Sequence, residues 1–412
     1  MANALITPSV IAKEALMQLK NSMVLGKNVH REYKKEFVKV GSTVSIRKPV
    51  KFYAADGATR VNQDVEEANT SIVVDTQKHV SWGFSSVDLT LTIDDYSERY
   101  IQPACIALAN TVDASLADLY PGFWNHVGTP GTTPANFAAV ALAAQRMDEM
   151  SIPTDRRKAI LNPAAGYAIA GTSTNIYNPN NAKAFEEGEI GRIANFNTYT
   201  TQNIATHTNG ARGGTPLVNG ANQNVTYATA KTGTNGNSQS LITDGWTASA
   251  ANRIKAGEVF TIAGVYAVNP VPGAGTTGKR VLPYLQQFTV LADAASDGSG
   301  NLTCTISPAI ITSGPYQTVS AVPADNAAMT FVGSASTAYP QNLCIHPNAI
   351  GLVTVPMELP DGVSFKARES ADGLSIRVLK AYDIDTDADV IRLDILYGKK
   401  LIYPDLGVRL TG

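Results

Sequence analysis

The chain is short of charge and of cysteine, and it has no long apolar run. Asp, Glu, Lys and Arg make up 17% of its 412 residues, below the roughly one quarter usual in soluble domains. Its 33 basic and 35 acidic residues nearly cancel, leaving a net charge of −2. A dedicated nucleic-acid reader carries a clear basic excess. Sequence-specific DNA binding is therefore excluded as a main role, although a shell that merely encloses nucleic acid needs no such excess. The thin charge also leaves much surface suited to contact with other chains. The three cysteines, Cys105, Cys304 and Cys344, are odd in number and sit in apolar or strand-like runs. That predicts reduced, buried thiols in a cytoplasmic protein, not a disulfide framework. No stretch approaches the ~18 apolar residues of a membrane span, and Met1 to Pro8 lacks the basic start and apolar core of a signal segment.

Catalytic and metal-binding patterns are also missing. His30, His79, His126, His207 and His346 are scattered, and Cys344 and His346 stand only two apart without further partners at zinc spacing. There is no G-x-S-x-G elbow. Gly273-Ala274-Gly275-Thr276-Thr277-Gly278-Lys279 matches G-x-G-x-x-G and nearly a phosphate loop. Such loops need a strand before them and a helix opening at once after, because the helix N-terminus holds the phosphates. Here Pro270 and Pro272 precede the glycines, Pro283 interrupts the segment after them, and Arg280 stands where Ser or Thr would bind magnesium. A hairpin loop is the better reading. Asp383, Asp385, Asp387, Asp389 and Asp394 mimic a calcium loop, but Ala388 replaces the turn glycine and the shorter Asp394 replaces the bidentate Glu. An acidic turn entering a strand is predicted instead. The sequence thus offers no catalytic, cofactor-binding or metal-ligating residue. Arg31, Lys34 and Lys35 alternate with acids and predict a solvated face.

What is present is a definite order of elements. Hydrophobic residues at 44% supply cores for two or three domains. Val10, Ile11, Leu16, Leu19 and Met23 predict a helix from Pro8 to Leu25, stopped by Gly26. Strand-like runs from Phe37 to Ile93 flank a polar stretch with Asp56, Gly57, Arg60, Asp64, Glu66 and Glu67, which predicts a long projecting hairpin. An isolated hairpin is marginal in water, so this one should lie against another surface. Ile101, Cys105, Leu108, Val112, Leu116 and Leu119 recur at helical steps and predict the strongest helix, ended by Pro121-Gly122. A second helix is predicted from Pro134 to Met150, capped by Thr133. A strand at Lys158 to Leu161 and a small helix near Ala164 to Ala170 come next. From His207 to Pro340 the composition turns to Gly, Thr, Asn, Ser and Ala, with strands at Val259 to Val268, Gln286 to Leu291 and Leu302 to Ile306. The last two flank the turn Asp297-Gly298-Ser299-Gly300. Strands return at Ile350 to Val355, Leu374 to Ala381 and Val390 to Tyr397.

This order resembles the major capsid proteins of tailed bacteriophages with the Hong Kong 97-type fold. More narrowly it resembles the branch with an inserted β-barrel domain, as in the coat protein of the short-tailed Salmonella phage. Asp94-Asp95-Tyr96-Ser97-Glu98-Arg99-Tyr100 is similar to that family's approach to its spine helix. Gly188-Glu189-Ile190-Gly191-Arg192-Ile193-Ala194-Asn195-Phe196, continuing to Gln202-Asn203, resembles a phage-shell pattern, and Lys255 to Pro270 and Leu285 to Ile310 resemble the inserted domain. The resemblance implies an α+β fold with an N-arm (1–36), an extended loop (37–93), a peripheral domain with the spine helix (94–130 and 381–412), an axial domain (131–206 and 341–380) and an inserted all-β barrel (207–340). It implies pentamers and hexamers of an icosahedral shell, no enzyme activity and no cofactor. The implied partners are a scaffolding protein, a portal and enclosed double-stranded DNA, in a virion assembled in the bacterial cytoplasm. Lys51, Arg60, Asp64, Glu66 and Glu67 of the extended loop become candidate inter-subunit contacts. The resemblance is to a branch without Lys–Asn cross-links, so Lys48 and Lys51 are expected to form none. A cellular compartment shell of the same fold, and a β-rich surface binding module, are the alternatives the sequence leaves open.

Overall fold

The computed structural model describes residues 8–31, 43–54, 57–60, 62–63, 65–85, 97–173, 191–271, 279–363, 365–383 and 388–412. It is a mixed α+β chain with two compact units. The first comprises Met1–Ser45, Ser71–Ala117 and Ile350–Lys400, the second Ile46–Thr70, Asp118–Ala349 and Leu401–Gly412.

The first unit is organised by the spine helix, Gln102–Ala117, which comes after a π-helical turn at Ser97–Ile101. Cys105, Leu108, Val112 and Leu116 form its buried stripe, as their spacing requires. Pro103 is tolerated because first-turn amides lack helical partners anyway. The N-terminal helix, Pro8–Ser22, packs on it through buried Ile11, Leu16 and Leu19. This helix stops earlier than predicted, and Gly26 lies inside a new short helix, Leu25–Asn28. Asp113 of the spine helix caps this new start. Its carboxylate accepts the amides of Val24, Leu25 and Gly26 at 2.6, 3.2 and 2.9 Å, meeting donors that a helix start leaves free. A Cβ on Gly26 would collide with the Met23 side chain.

The sheet of this unit runs Ile350–Thr354, Ala388–Leu401, Leu374–Asp383, Phe365–Ala371, with Thr76–Ser85 also on Ala388–Leu401. Thr76 to Ser85 pairs antiparallel with Tyr397 to Ala388 without a break in register. This corrects the long hairpin. Thr76–Ser85 joins a strand far along the chain, while Thr43–Arg47 pairs with Asn69–Val73 in a two-stranded sheet. Within the described part of 48–68 there is no strand or helix. Pro49 has no amide for a ladder, and the polar run after it has no apolar face to bury. Phe365–Ala371 was not predicted as a strand.

The second unit contains two six-stranded sheets. One runs His126–Val127, Gly407–Leu410, Asn342–Ile345, Lys158–Leu161, Phe196–Thr200, Arg192–Ile193. Gly407–Leu410 pairs with Asn342–Ile345 and with His126–Val127. The helices Phe137–Glu149 and Pro163–Ser173 belong to the same core, through Val140, Ala143, Met147, Ala165 and Ile169. The predicted cap is corrected: Asn136, three residues past Thr133, accepts the amide of Ala139 at 2.9 Å.

The other sheet runs Met329–Phe331, Val259–Val268, Val281–Val290, Leu302–Ser307, Gln239–Trp246, Gly214–Val218. Its two edges meet at an antiparallel bridge between Leu217 and Ala328, so it nearly closes on itself like a barrel. Leu241 and, past a register shift after Asp244, Trp246 join Phe260, Ile262, Phe288, Val290 and Ile306 in one core. The chain leaves for this sheet and returns from it through a short stem, Thr206–Thr208 paired with Ala338–Pro340.

Candidate assembly surfaces

A backbone rung starts the 46–70 segment, and side chains do the rest. The Lys48 amide donates to the Ala68 carbonyl at 2.8 Å. Further out, the Tyr316 hydroxyl joins both arms of the loop. It accepts the Lys51 amide at 3.1 Å and donates to the Glu66 carbonyl at 2.9 Å. The Tyr316 ring is stacked on Tyr227 at 3.5 Å. The Glu66 carboxylate lies 3.5 Å from Lys231 Nζ, and Lys48 Nζ donates to the Asn235 carbonyl at 2.8 Å. Gln63 then closes the loop on itself, exchanging hydrogen bonds with both backbone groups of Tyr53 at 3.0 and 2.6 Å.

Of the five residues singled out from sequence, Lys51 and Glu66 are thus brought together on Tyr316 of their own chain. Arg60 is exposed near the tip, and Glu67 is exposed with Arg47 3.8 Å away. Asp64 lies outside the described residues. Phe52 and Val65 are both more than half exposed beside these anchors. Sequence reasoning missed Tyr316, Tyr227 and Lys231. The only signal for Tyr316 was an aromatic ring isolated in a polar loop.

A groove of about 420 Å³ runs beneath this loop, lined among others by Lys48, Lys51, Lys279, Tyr227, Tyr316 and Tyr403. Lys279 donates to the Gln317 carbonyl at 2.9 Å, and burial, with Lys51 nearby, pulls its pKa down to about 7. Lys279 ends the glycine-rich motif, whose residues 272–278 lie outside the described part. The elements on either side, Val259–Val268 and Val281–Val290, are antiparallel strands. The element after the motif is thus a strand, with no helix N-terminus to hold a phosphate.

The root of the insertion is held by buried charge. Glu258 accepts the Arg212 guanidinium at 2.7 Å and the Lys255 amide at 3.0 Å, and it also accepts the Gly210 amide. Arg212 reaches on to the carbonyls of Gly333 and Val332 at 2.7 and 3.2 Å. One ion pair therefore fastens the outgoing and returning chains. Beside it Arg409 is buried, with its guanidinium donating to Gly257 at 2.5 Å, Pro121 at 3.2 Å and Thr289 Oγ1 at 3.1 Å. Burial and the Arg409 charge hold the buried His126 near pKa 3 and His207 near 4, so both rings are neutral.

Asp394, the last of the acidic series, is likewise structural. Asp394 is buried and takes Arg377 Nη2 and Arg392 Nε, each at 2.7 Å, with Gln77 at 3.3 Å. Burial alone would raise its pKa, but the two guanidinium groups outweigh that and hold it below the usual carboxylate range. Asp385 and Asp387 lie outside the described residues. Among the described residues no group of His, Cys, Asp or Glu could hold a metal ion. The three cysteines are free and buried, and burial pushes each thiol up to about 12. Among the described residues no helix is long and apolar enough to cross a membrane. Phe137, Leu142 and Tyr167, on the two helices of the second unit, leave about half or more of their surface exposed. Large apolar side chains on a surface are the usual material of subunit contacts.

The sequence matches a family described as P22 coat protein, gene protein 5, over residues 1–412. A curated relative is the major capsid protein of Acyrthosiphon pisum secondary endosymbiont phage 1. It is 24% identical over 293 residues, spanning 69% of this chain and 68% of the relative. Similar solved structures include one of Mycobacterium phage Che8, with 13% identity, a TM-score of 0.48 and coverage of 94% of this chain and 90% of that one. Another is the mature capsid of bacteriophage PhiM1, with 11% identity, a TM-score of 0.42 and coverage of 94% and 86%.

Proposed function

Because the chain belongs to the P22 coat protein family, structural capsid proteins and not enzymes, we propose that its copies form pentamers and hexamers that tile an icosahedral shell around double-stranded DNA. The whole-chain family match carries this reading. The geometry supports it: exposed Phe137, Leu142 and Tyr167 offer apolar contact area on a chain poor in charge. Head-to-tail contacts close into rings when the rotation between copies allows, and several modest contacts per subunit add through multivalency.

Within that shell, residues 1–36 serve as the N-arm and 37–93 as the extended loop. Residues 94–130 with 381–412 form the peripheral domain, and 131–206 with 341–380 the axial domain. The pairing of Gly407–Leu410 with Asn342–Ile345 supports a sheet shared by these two domains at the last strand. Residues 207–340 form an inserted barrel, a role supported by the near-closed sheet and its stem. Lys51, Arg60, Asp64, Glu66 and Glu67 are the loop residues proposed to meet a neighbour. A scaffolding protein and a portal complete the partners, and assembly takes place in the host cytoplasm. Neighbours are held without Lys–Asn bonds, so boiled particles should run as single chains on denaturing gels; a ladder of multimers would contradict this. Electron microscopy of the purified chain, with and without a scaffolding partner, tests the assembly itself.

A further inference from the structure

Arg409 is a buried cation without a counter-charge. Its side chain sits where the last strand, the Tyr120–Gly122 turn and the insertion converge, and it is 2% exposed. Among the described residues no carboxylate pairs with it; its acceptors are two carbonyls and a hydroxyl, and it lies 5.3 Å from the Tyr120 ring. Neutral acceptors only partly offset the several kcal/mol that burying an ion costs. Buried charges are ordinarily paired for this reason. Its titratable neighbours supply no negative charge: burial raises the pKa of Tyr120, and burial with Arg409 itself holds His126 and His207 neutral.

Next to Arg409 is a small cavity of about 20 Å³, lined by His126, His207, Asn209, Gly257, Arg409 and Thr411 among others. It has room for one water-sized body and little more. Two of its lining side chains each keep one buried atom without a hydrogen bond: Arg409 Nε and His207 Nε2. Asn209 stands beside the imidazole and favours a proton on it, but no atom meets Nε2 at hydrogen-bonding geometry. Arg409 Nε is a donor in every state, and His207 Nε2 is one in the tautomer whose Nδ1 accepts from Tyr120. Arg409 Nε always carries hydrogen. His207 Nδ1 is 2.9 Å from the Tyr120 hydroxyl. In the tautomer whose Nδ1 accepts from that hydroxyl, the ring proton stands on Nε2.

We infer that this cavity holds one small monovalent anion of the halide class, bound by Arg409 Nε–H and His207 Nε2–H. A water could accept from both donors but would leave the buried charge uncompensated; an anion answers both needs. Phosphate, sulfate and carboxylates of metabolite size are too large. The site would act as a pin at the root of the insertion, because its two ligands sit on the stem and on the last strand.

The test is the thermal midpoint of the purified full chain at pH 7.5 and constant ionic strength, with sodium chloride replaced stepwise by sodium gluconate, whose anion cannot enter. Binding to the folded state alone should raise the midpoint by on the order of 2 °C per tenfold rise in chloride above the dissociation constant. Bromide should act in the same way. The His207→Phe variant, which keeps a ring but loses the donor, should show the gluconate midpoint of the parent chain within a few degrees and little further rise in chloride. Arg409→Met should abolish the rise, and if it does not fold, His207→Phe decides. Equal midpoints in chloride and gluconate would overturn the inference. A rise that persists undiminished in His207→Phe would overturn it too, since it would then be a general salt effect.

Discussion

The Arg212 guanidinium and the Glu258 carboxylate meet at 2.7 Å, with the carboxylate wholly shielded from solvent. Arg212 also holds the carbonyls of Val332 and Gly333, so a single pair ties the outgoing and returning chains near the root of the insertion. Replacing Glu258 by Ala strands a buried guanidinium and two amides. A loss of about 3–5 kcal/mol is expected, measured as a lower denaturant midpoint of the purified chain. Glu258→Gln, which can still accept from the amides, should lose less.

The Tyr316 hydroxyl joins both arms of the loop that carries the candidate contacts. Tyr316→Phe removes the acceptor of Lys51 and the donor to Glu66 while keeping the ring stacked on Tyr227. Global stability should fall by only about 1–2 kcal/mol. Hydrogen exchange at the Lys51 amide should rise clearly, while the Leu302–Ser307 strand stays protected. Unchanged exchange at Lys51 would show that the loop is held elsewhere.

Asp113 takes three amides of the N-terminal segment. Asp113→Ala leaves buried donors unmet, at about 1–3 kcal/mol for each group that finds no water. The expected readout is early protease cleavage between Met23 and Val29, with the spine helix itself intact by circular dichroism.

Acid should weaken the fold through His126 before its carboxylates titrate. The folded ring is held near 3, against about 6.5 when unfolded. Below pH 6.5 the unfolded chain therefore takes up a proton that the folded chain refuses. Stability is lost progressively from pH 6.5 down to about 3, by about 2–3 kcal/mol at pH 4.5 for this one group. His207, held near 4, acts in the same sense. Asp394 works lower down: its pKa is depressed, so its contribution is present above the ordinary carboxylate range and disappears as pH falls through the folded value. His126→Gln should flatten the profile between pH 6.5 and 4.5, as read by urea unfolding at a series of pH values.

Much of the fold was legible where one periodic face settles the matter. The spine helix is dictated by Cys105, Leu108, Val112 and Leu116, and Val259–Val268 was placed to the residue. What failed depended on partners remote in sequence. Thr76–Ser85 alternates like a hairpin strand, but its mate is Ala388–Leu401, some three hundred residues on. Phe365–Ala371 has too few apolar residues to stand out, and it is a strand because Leu374–Asp383 pairs with it. The helix after Thr133 begins at Asn136, since both could cap and only packing chooses.

The buried charges were the least readable. Arg392 and Asp394 are two apart and so share a face of their strand, and Arg377 stands directly opposite Asp394 in the register. That triad was visible as spacing, but the aspartate series pointed to calcium first. Nothing in the sequence marked Arg409 or Glu258, whose importance comes only from where the chain folds back on itself.

The most direct test of the central claim is negative-stain electron microscopy of the purified chain, alone and with a scaffolding partner. Closed shells of uniform size, or sheets and tubes of five- and six-membered rings, are predicted. Monomers that persist under every condition, at concentrations where the fold is intact, would contradict a self-assembling coat subunit.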